Sequence, residues 1–362
     1  MLIRAAVCKE FGQALVLEDI NIRDAMMGEV RVKLHACAIC HSDLSYADGI
    51  WGGTLPAVYG HEGAGIVESV GEGVTNYAVG DHVIVTLIRH CNTCHYCEEN
   101  AQVLCEGEFG FNAHPALSAS DGSAIDQAMN CGAFAQMVLV DQSQLQKVPQ
   151  DMPFDVASLL ACGVITGYGA VTHASDLKAG DHAIVIGCGG VGFNSLQAAS
   201  LKGAASVIAM DIEPDKRELA LEFGATHTID PTSDTAADEV MSITNGRGAD
   251  HVFVTVGAKS AIDSAQSYIT KNGAVVIVGM PASGTRGDYD PGTMAAWGQK
   301  FIGTKMGNSV ISIDIPQLLE FYAQGKYKLD ELISGRFKLE EVNQALDGVR
   351  KGKAIKNILI FD

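Results

Sequence analysis

The hexapeptide Gly187-Cys188-Gly189-Gly190-Val191-Gly192 follows the apolar run AIVI at 183–186 and opens a segment, 191–201, that reads as a helix. A strand that turns through glycines directly into a helix is half of a crossover unit, so its neighbours must supply parallel strands and covering helices. They do: strands are expected at 182–186, 206–210, 251–256 and 274–278, with helices near 215–223 and 261–269. This alternation specifies a doubly wound parallel sheet. In such a turn Gly187 permits the tight bend, Gly189 lets the backbone approach a pyrophosphate, and Gly192 lets helix and strand pack closely. The helix N-terminus then faces the anion. Asp211 falls 19 residues after Gly192, at the end of the next strand, where a carboxylate accepts from the ribose hydroxyls and repels a 2′-phosphate. No arginine adjoins it in sequence and Glu213 adds a second negative charge, so NAD is expected over NADP. The plainer reading is a glycine turn with a capping Asp and no ligand.

The first 160 residues have a different texture. Short runs at 29–36 (EVRVKLHA), 63–70 (GAGIVESV) and 82–86 (HVIVT) alternate with a period near two and are divided by Gly and Asp turns, as in a β-rich domain. The last sixty residues hold a helix near 315–324 and a final strand at 357–361, which should return to this first domain. A chain of 362 residues can build two such cores. No internal repeat or low-complexity segment is evident.

Within the β-rich part, Cys91, Cys94, Cys97 and Cys105 form a ladder with gaps of two, two and seven residues. Two-residue gaps turn successive thiolates toward one ion, and the longer arm closes the tetrahedron. Four thiolates fill the shell, which makes this a structural zinc lobe with no open position for chemistry. A disulfide framework suits such a chain less well, and an iron–sulfur cluster is the other user of four cysteines.

Composition excludes several function classes. The formal net charge is −18, from 25 basic and 43 acidic side chains, and such a surface repels nucleic-acid backbones and anionic membranes. Hydrophobic content of 47% with 40 glycines and 6% aromatics suits a glycine-rich α/β enzyme. No stretch is expected to approach the roughly 18–20 uninterrupted apolar residues of a membrane span. The opening MLIRAAVCKEFG reads as a strand, without a signal-peptide layout. Ten cysteines then point to a reducing compartment, the cytoplasm.

Cys40 in C-H-S-D, His61 in G-H-E-G-A-G and Cys162 in L-A-C-G-V-I-T-G make a second suspicious set. Two thiolates and an imidazole leave a fourth zinc position open, as catalytic sites do. Singly, each has a plainer reading as a core cysteine or a satisfied structural histidine.

Taken with the four-cysteine lobe, the GCGGVG turn and Asp211, these residues resemble the zinc-dependent alcohol dehydrogenases of the medium-chain dehydrogenase/reductase superfamily. The resemblance runs over essentially the whole chain. It implies an α/β fold with a GroES-like β-rich catalytic domain at 1–163 and 305–362, bearing the zinc lobe at 91–105, and a Rossmann NAD-binding domain at 164–304. It implies Cys40, His61 and Cys162 as ligands of a catalytic zinc, with Glu62 able to visit the metal during ligand exchange. Asp43 would orient His61, and Ser42 would take the alcohol proton. His41, Lys216 and Lys356 match positions that touch the cofactor's phosphates or ribose, beside Gly187, Gly189, Gly190, Val191, Gly192 and Asp211. Trp51 and Leu87 match substrate-cleft positions, although a core tryptophan is as good a reading of the first. The implied cofactors are NAD and two zinc ions per chain. The implied reaction is reversible oxidation of a primary, aromatic or broader alcohol to the aldehyde by zinc-assisted hydride transfer.

The chain departs from the pattern at Ser45, where many relatives carry a histidine that passes the proton to solvent; water, Ser45 or Asp48 must serve instead. Residues 109–130 read as an extended loop, in which His114 is structural or solvated. Cys8, Cys37, Cys131 and Cys188 fit no ligand pattern and read as small buried side chains. Two other functions compete. One is a thiol-dependent formaldehyde dehydrogenase acting on an S-hydroxymethyl adduct, whose anionic substrate would want a cation such as Arg89. The other is a non-catalytic zinc- and nucleotide-binding protein. The resemblance also implies a homo-oligomer, a dimer before a tetramer, with a small-molecule alcohol or aldehyde as partner and no nucleic acid or membrane.

Overall fold

The computed structural model describes residues 1–361. They form two compact units, Met1–Cys162 with Val310–Asp362, and Gly163–Ser309. The second junction lies five residues beyond the 305 expected from the sequence. Gly307, at φ +68°, lies so close to Gly169 that a Cβ on Gly169 would stand 2.4 Å from the Gly307 carbonyl oxygen. Ser309 Oγ also donates to the Ile165 carbonyl at 2.8 Å, so residues 305–309 stay with the second unit.

In the first unit, strands Leu2–Cys8, Val16–Ile22, Leu117–Ser118, Ala124–Gln127 and Ala57–Val58 close a small barrel. Residues 109–130, expected as a loop, therefore supply two barrel strands. Each is too short for period-two alternation to show. Beside the barrel lies a seven-stranded sheet with Glu29–Ala38 at its centre. That strand pairs with Glu62–Val70, Met137–Asp141 and Lys356–Ile360, all antiparallel. Register at its end decides the site: Ala38 stands opposite Glu62 on one side and Ile358 on the other. Cys40 follows two residues later, so three distant stretches of chain meet at one sheet end. The buried face around them is apolar, with Val30, Val32, Leu34, Phe134 and Leu359 fully inaccessible.

By length and composition the run Phe154–Thr172 is apolar enough to cross a membrane, although Asp155, Ser158 and Thr166 interrupt its apolar residues, and 89% of its most apolar stretch is buried inside the protein. It is interrupted by a π-helical turn, Leu160–Val164, which carries Cys162. An extra residue in one turn rotates the following side chains, and such turns cluster at functional sites.

The second unit is a six-stranded parallel sheet in the order His227–Ile229, Ser206–Met210, His182–Ile186, Ala249–Val254, Ile269–Ile277, Lys300–Gly303. The two outermost strands were not foreseen, being three and four residues long. Chain order reverses between His182–Ile186 and Ala249–Val254, the switch point at which open α/β sheets bind ligands. The glycine turn leaves His182–Ile186 there and enters the helix Gly190–Leu201.

Candidate active site

Cys40 occupies the cap position of helix His41–Ala47, in extended conformation at φ −107°, ψ 155°. Asp43, three residues on and fully buried, ties the site together. Its Oδ2 accepts from the Cys40 backbone N–H at 2.9 Å. Its Oδ1 accepts from the Gly60 N–H at 3.0 Å and faces His61 Nδ1, also at 3.0 Å. With the Nδ1 proton on Asp43, His61 turns Nε2 toward Cys162 Sγ, 3.3 Å away. The donor atoms of Cys40, His61, Glu62 and Cys162 all lie within 4.8 Å of one another. The hydrogen bond with Cys162 holds the Cys40 thiol well below its ordinary pKa, with help from the charges of Lys356 and His61.

Glu62 is fully buried and both its oxygens bond to Lys356 Nζ, Oε2 at 2.6 Å. Burial pushes the Glu62 carboxyl up to about 7, against the opposing pull of Lys356. Burial works against the Lys356 ammonium, but Glu62, Cys40 and Cys162 outweigh it and raise its pKa. Lys356, expected at the cofactor's phosphates or ribose, is buried on Glu62, with the Ile39 carbonyl 3.4 Å away. This pairing escaped sequence reasoning because its partners are 294 residues apart.

Ser42 Oγ lies 3.7 Å from Cys40 Sγ and is half-buried, whereas His41 is exposed. Trp51 is half-buried, edge-on to Tyr46 with centroids 5.2 Å apart, and Leu87 packs on the core of the unit. Ser45 is buried.

The second cysteine group is equally convergent, with the sulfurs of Cys91, Cys94, Cys97 and Cys105 within 4.8 Å of one another. The N–H groups of Cys91 and Gly107 both point at Cys105 Sγ, each at 3.2 Å, which favours a thiolate. A Cβ on Gly107 would stand 2.5 Å from Cys91 Cβ, so only glycine lets the chain close this cradle. No disulfide forms, and Cys8, Cys37, Cys131 and Cys188 are buried. Both groups fit zinc by donor chemistry: four sulfurs in one, and in the other two sulfurs, a carboxylate and an imidazole whose far nitrogen is fixed by Asp43.

In the second unit, Gly187 has φ +98°, and a Cβ there would meet Val256 Cγ1 at 2.3 Å. A Cβ on Gly192 would stand 1.8 Å from the Gly187 carbonyl oxygen, whereas one on Gly189 would meet nothing within 4 Å. The space beside Gly189 is open at the helix start beside Gly190 and Val191. Asp211 accepts from Cys188 N–H at 2.6 Å and from Glu213 N–H at 2.9 Å. Arg217 donates to the Asp211 carbonyl at 2.7 Å and pairs with Asp230, so an arginine stands beside Asp211 in space though not in sequence. Lys216 is half-buried on the same helix.

A barrel-and-sheet unit with two convergent cysteine groups, in one chain with a doubly wound parallel sheet, defines the class of zinc-binding dehydrogenases. Two family profiles match: an alcohol dehydrogenase GroES-like domain over residues 26–150 and a zinc-binding dehydrogenase over residues 190–324. An NDMA-dependent alcohol dehydrogenase of Amycolatopsis methanolica is 36% identical, over 99% of this chain and 98% of its own. A probable S-(hydroxymethyl)glutathione dehydrogenase 1 of Schizosaccharomyces pombe is 33% identical, over 98% and 96%. The solved benzyl alcohol dehydrogenase of Acinetobacter calcoaceticus superimposes with a TM-score of 0.93 at 31% identity, covering all of both chains. The chain belongs to the zinc-dependent alcohol dehydrogenases of the medium-chain dehydrogenase/reductase superfamily, and it is an oxidoreductase acting on alcohols.

Proposed function

We propose that this chain oxidises a primary alcohol, aromatic alcohols included, reversibly to the aldehyde, with NAD as hydride acceptor and two zinc ions per chain. The observation that carries this reading is the convergence of Cys40, His61, Glu62 and Cys162 within 4.8 Å, backed by the buried Asp43. Cys40, His61 and Cys162 would hold the catalytic zinc and Cys91, Cys94, Cys97 and Cys105 the structural one. When bound, the catalytic ion supplies Lewis acidity toward an alcohol oxygen. Asp43 keeps the His61 ring in one orientation and tautomer. Ser42 Oγ is the hydroxyl that takes the alcohol proton. Glu62 is drawn back onto Lys356, which leaves it a reserve ligand for exchange. Trp51 and Leu87 wall the substrate, and Trp51 offers a flat ring to an aromatic one.

The second unit serves the dinucleotide, whose nicotinamide takes the hydride. Gly187, Gly190, Val191 and Gly192 shape the turn, Gly189 leaves room for the pyrophosphate, and Lys216 on the same unit is a cation for it. Asp211 favours a free ribose over a 2′-phosphate, and Arg217, occupied by Asp230, is no free clamp for such a phosphate. The first unit is then the catalytic domain and the second the NAD-binding domain. The absence of any disulfide among ten cysteines supports a reducing, cytoplasmic setting, and a homodimer is the expected assembly.

The test is metal analysis together with NADH formation from a panel running from ethanol to benzyl alcohol, with NAD and NADP in parallel. Formaldehyde is included with and without added thiol, and NDMA as an added reagent, because relatives are named for them. Two zincs per chain and turnover with NAD are expected. Silence on every alcohol in protein holding both zincs would overturn the reading, and turnover of formaldehyde only with thiol would transfer it to the adduct.

A further inference from the structure

Two neighbouring strands of the second unit each end in an aspartate. Ser206–Met210 and His227–Ile229 run parallel with Met210 opposite Ile229, so Asp211 and Asp230 leave the sheet side by side. Like charges in that arrangement repel, and the carboxyl ends of the strands are where open α/β sheets take their ligands. Arg217 bridges the two. It stands on the helix Pro214–Glu222, and its Nη1 donates to the Asp211 backbone carbonyl at 2.7 Å and lies 3.3 Å from Asp230 Oδ2.

The two acids are engaged differently. The Asp211 carboxylate is taken up by backbone N–H groups, that of Cys188 at Oδ2 and that of Glu213 at Oδ1. The charge of Arg217 is therefore met by Asp230. Thr232 fixes Asp230 for that role, because its N–H and its Oγ1 both donate to Oδ1, at 2.9 and 2.6 Å, which leaves Oδ2 to face the arginine. These bonds, with the charge of Arg217, hold the Asp230 carboxyl below its ordinary pKa. Side-chain exposures of 18% for Arg217 and 37% for Asp230 keep the pair within reach of a ligand.

An arginine near the ribose aspartate is the group that accommodates a 2′-phosphate, since a guanidinium matches a phosphate with two parallel hydrogen bonds. This chain possesses such an arginine and keeps it occupied. We propose that Asp230 is a positioning residue for cofactor choice: it holds Arg217 beside the Asp211 carbonyl, neutralises its charge, and so denies a 2′-phosphate its clamp. Preference for NAD then resides in both strand ends, and Asp211 alone does not set it. The inference rests on the NAD reading above and adds that one substitution, outside the glycine turn and Asp211, opens the site to NADP.

Asp230→Asn is the informative variant, because an amide oxygen still accepts from Thr232 while the charge facing Arg217 is gone. Calorimetry with adenosine 5′-monophosphate and adenosine 2′,5′-bisphosphate probes the ribose end without turnover. The ratio of the two affinities is internal to one variant, so a general loss of fold cancels. Wild type should favour the monophosphate. Asp230→Asn should shift the ratio toward the bisphosphate by about tenfold, the size of one charge-assisted hydrogen bond. Adding Arg217→Met to Asp230→Asn should return the ratio to the wild-type value or below. The ratio of kcat/KM for NADP over NAD should move in the same sense. A merely structural Asp230 would weaken both nucleotides alike. An unchanged ratio in Asp230→Asn, or a gain that survives Arg217→Met, would overturn the assignment and leave the NAD reading standing. If wild type binds neither nucleotide, or favours the bisphosphate, the NAD reading itself fails and the assignment falls with it.

Discussion

Asp43 shows how one residue organises a site. Its two oxygens meet the Cys40 backbone, the Gly60 backbone and the His61 ring, so helix, turn and strand are pinned to one carboxylate. Replacing it by alanine frees the ring and leaves two buried N–H groups without partners. Asp43→Ala should weaken zinc at the Cys40–His61–Cys162 group by roughly 10–100-fold, the usual cost of losing such a support. Metal analysis after graded dialysis should therefore find about one zinc per chain where wild type keeps two. Ser45 raises a separate question, because no imidazole follows Ser42 on this helix. Ser45→His should add a limb to the rate–pH profile of alcohol oxidation, rising through about pH 6.5 as the neutral base forms. Identical profiles in the two proteins would argue against proton exit past this position.

At the scale of elements, the glycine turn separates packing from binding. Gly192 is demanded by the fold, since its Cβ would strike the Gly187 carbonyl, whereas Gly189 faces open space at an ordinary φ of −97°. Gly192→Ala should lower stability by about 1–3 kcal/mol, as overpacking does. Gly189→Ala should melt like wild type yet bind NAD at least severalfold more weakly. Thermal melts with a dinucleotide titration check both, and a wild-type titration for Gly189→Ala would refute the turn's assigned role. The C-terminal strand makes the complementary case. Lys356 on Lys356–Ile360 is the cation that meets buried Glu62, and Lys356→Met leaves that charge uncompensated. A loss of about 3–5 kcal/mol in urea unfolding is expected, much of it recovered by adding Glu62→Gln, which removes the charge.

For the whole molecule, pH dependence of stability comes in part from His251, which is 5% exposed, with Nδ1 lacking a partner. Burial lowers its pKa, against the opposing effect of Asp176, Asp181 and Asp250. The folded state then binds fewer protons than the unfolded one. Its stabilising contribution is complete above the unfolded value of about 6.5 and declines as the pH falls below it toward the lowered folded value. Urea midpoints should therefore fall on acidification in wild type and fall less steeply in His251→Phe. Equal slopes would remove His251 from the account.

What could be read from the chain alone was whatever a few neighbouring residues encode. The gaps of the cysteine ladder, the glycine turn after an apolar strand and the switch from period two to alternating strands and helices are all local. They carried the α/β architecture, the parallel sheet and the family. The sites needed more. Cys40, His61 and Cys162 are scattered over 123 positions of chain, and it was resemblance that grouped them; their approach depends on the register that sets Ala38 opposite Glu62. Tertiary structure alone decided that Lys356 answers Glu62, that residues 117–118 and 124–127 close a barrel, and that the apolar run Phe154–Thr172 is interior. The reason is physical. Periodicity and turn chemistry are set by backbone geometry within one element, whereas a contact between distant residues exists only once packing has fixed register and left, or filled, the space between them.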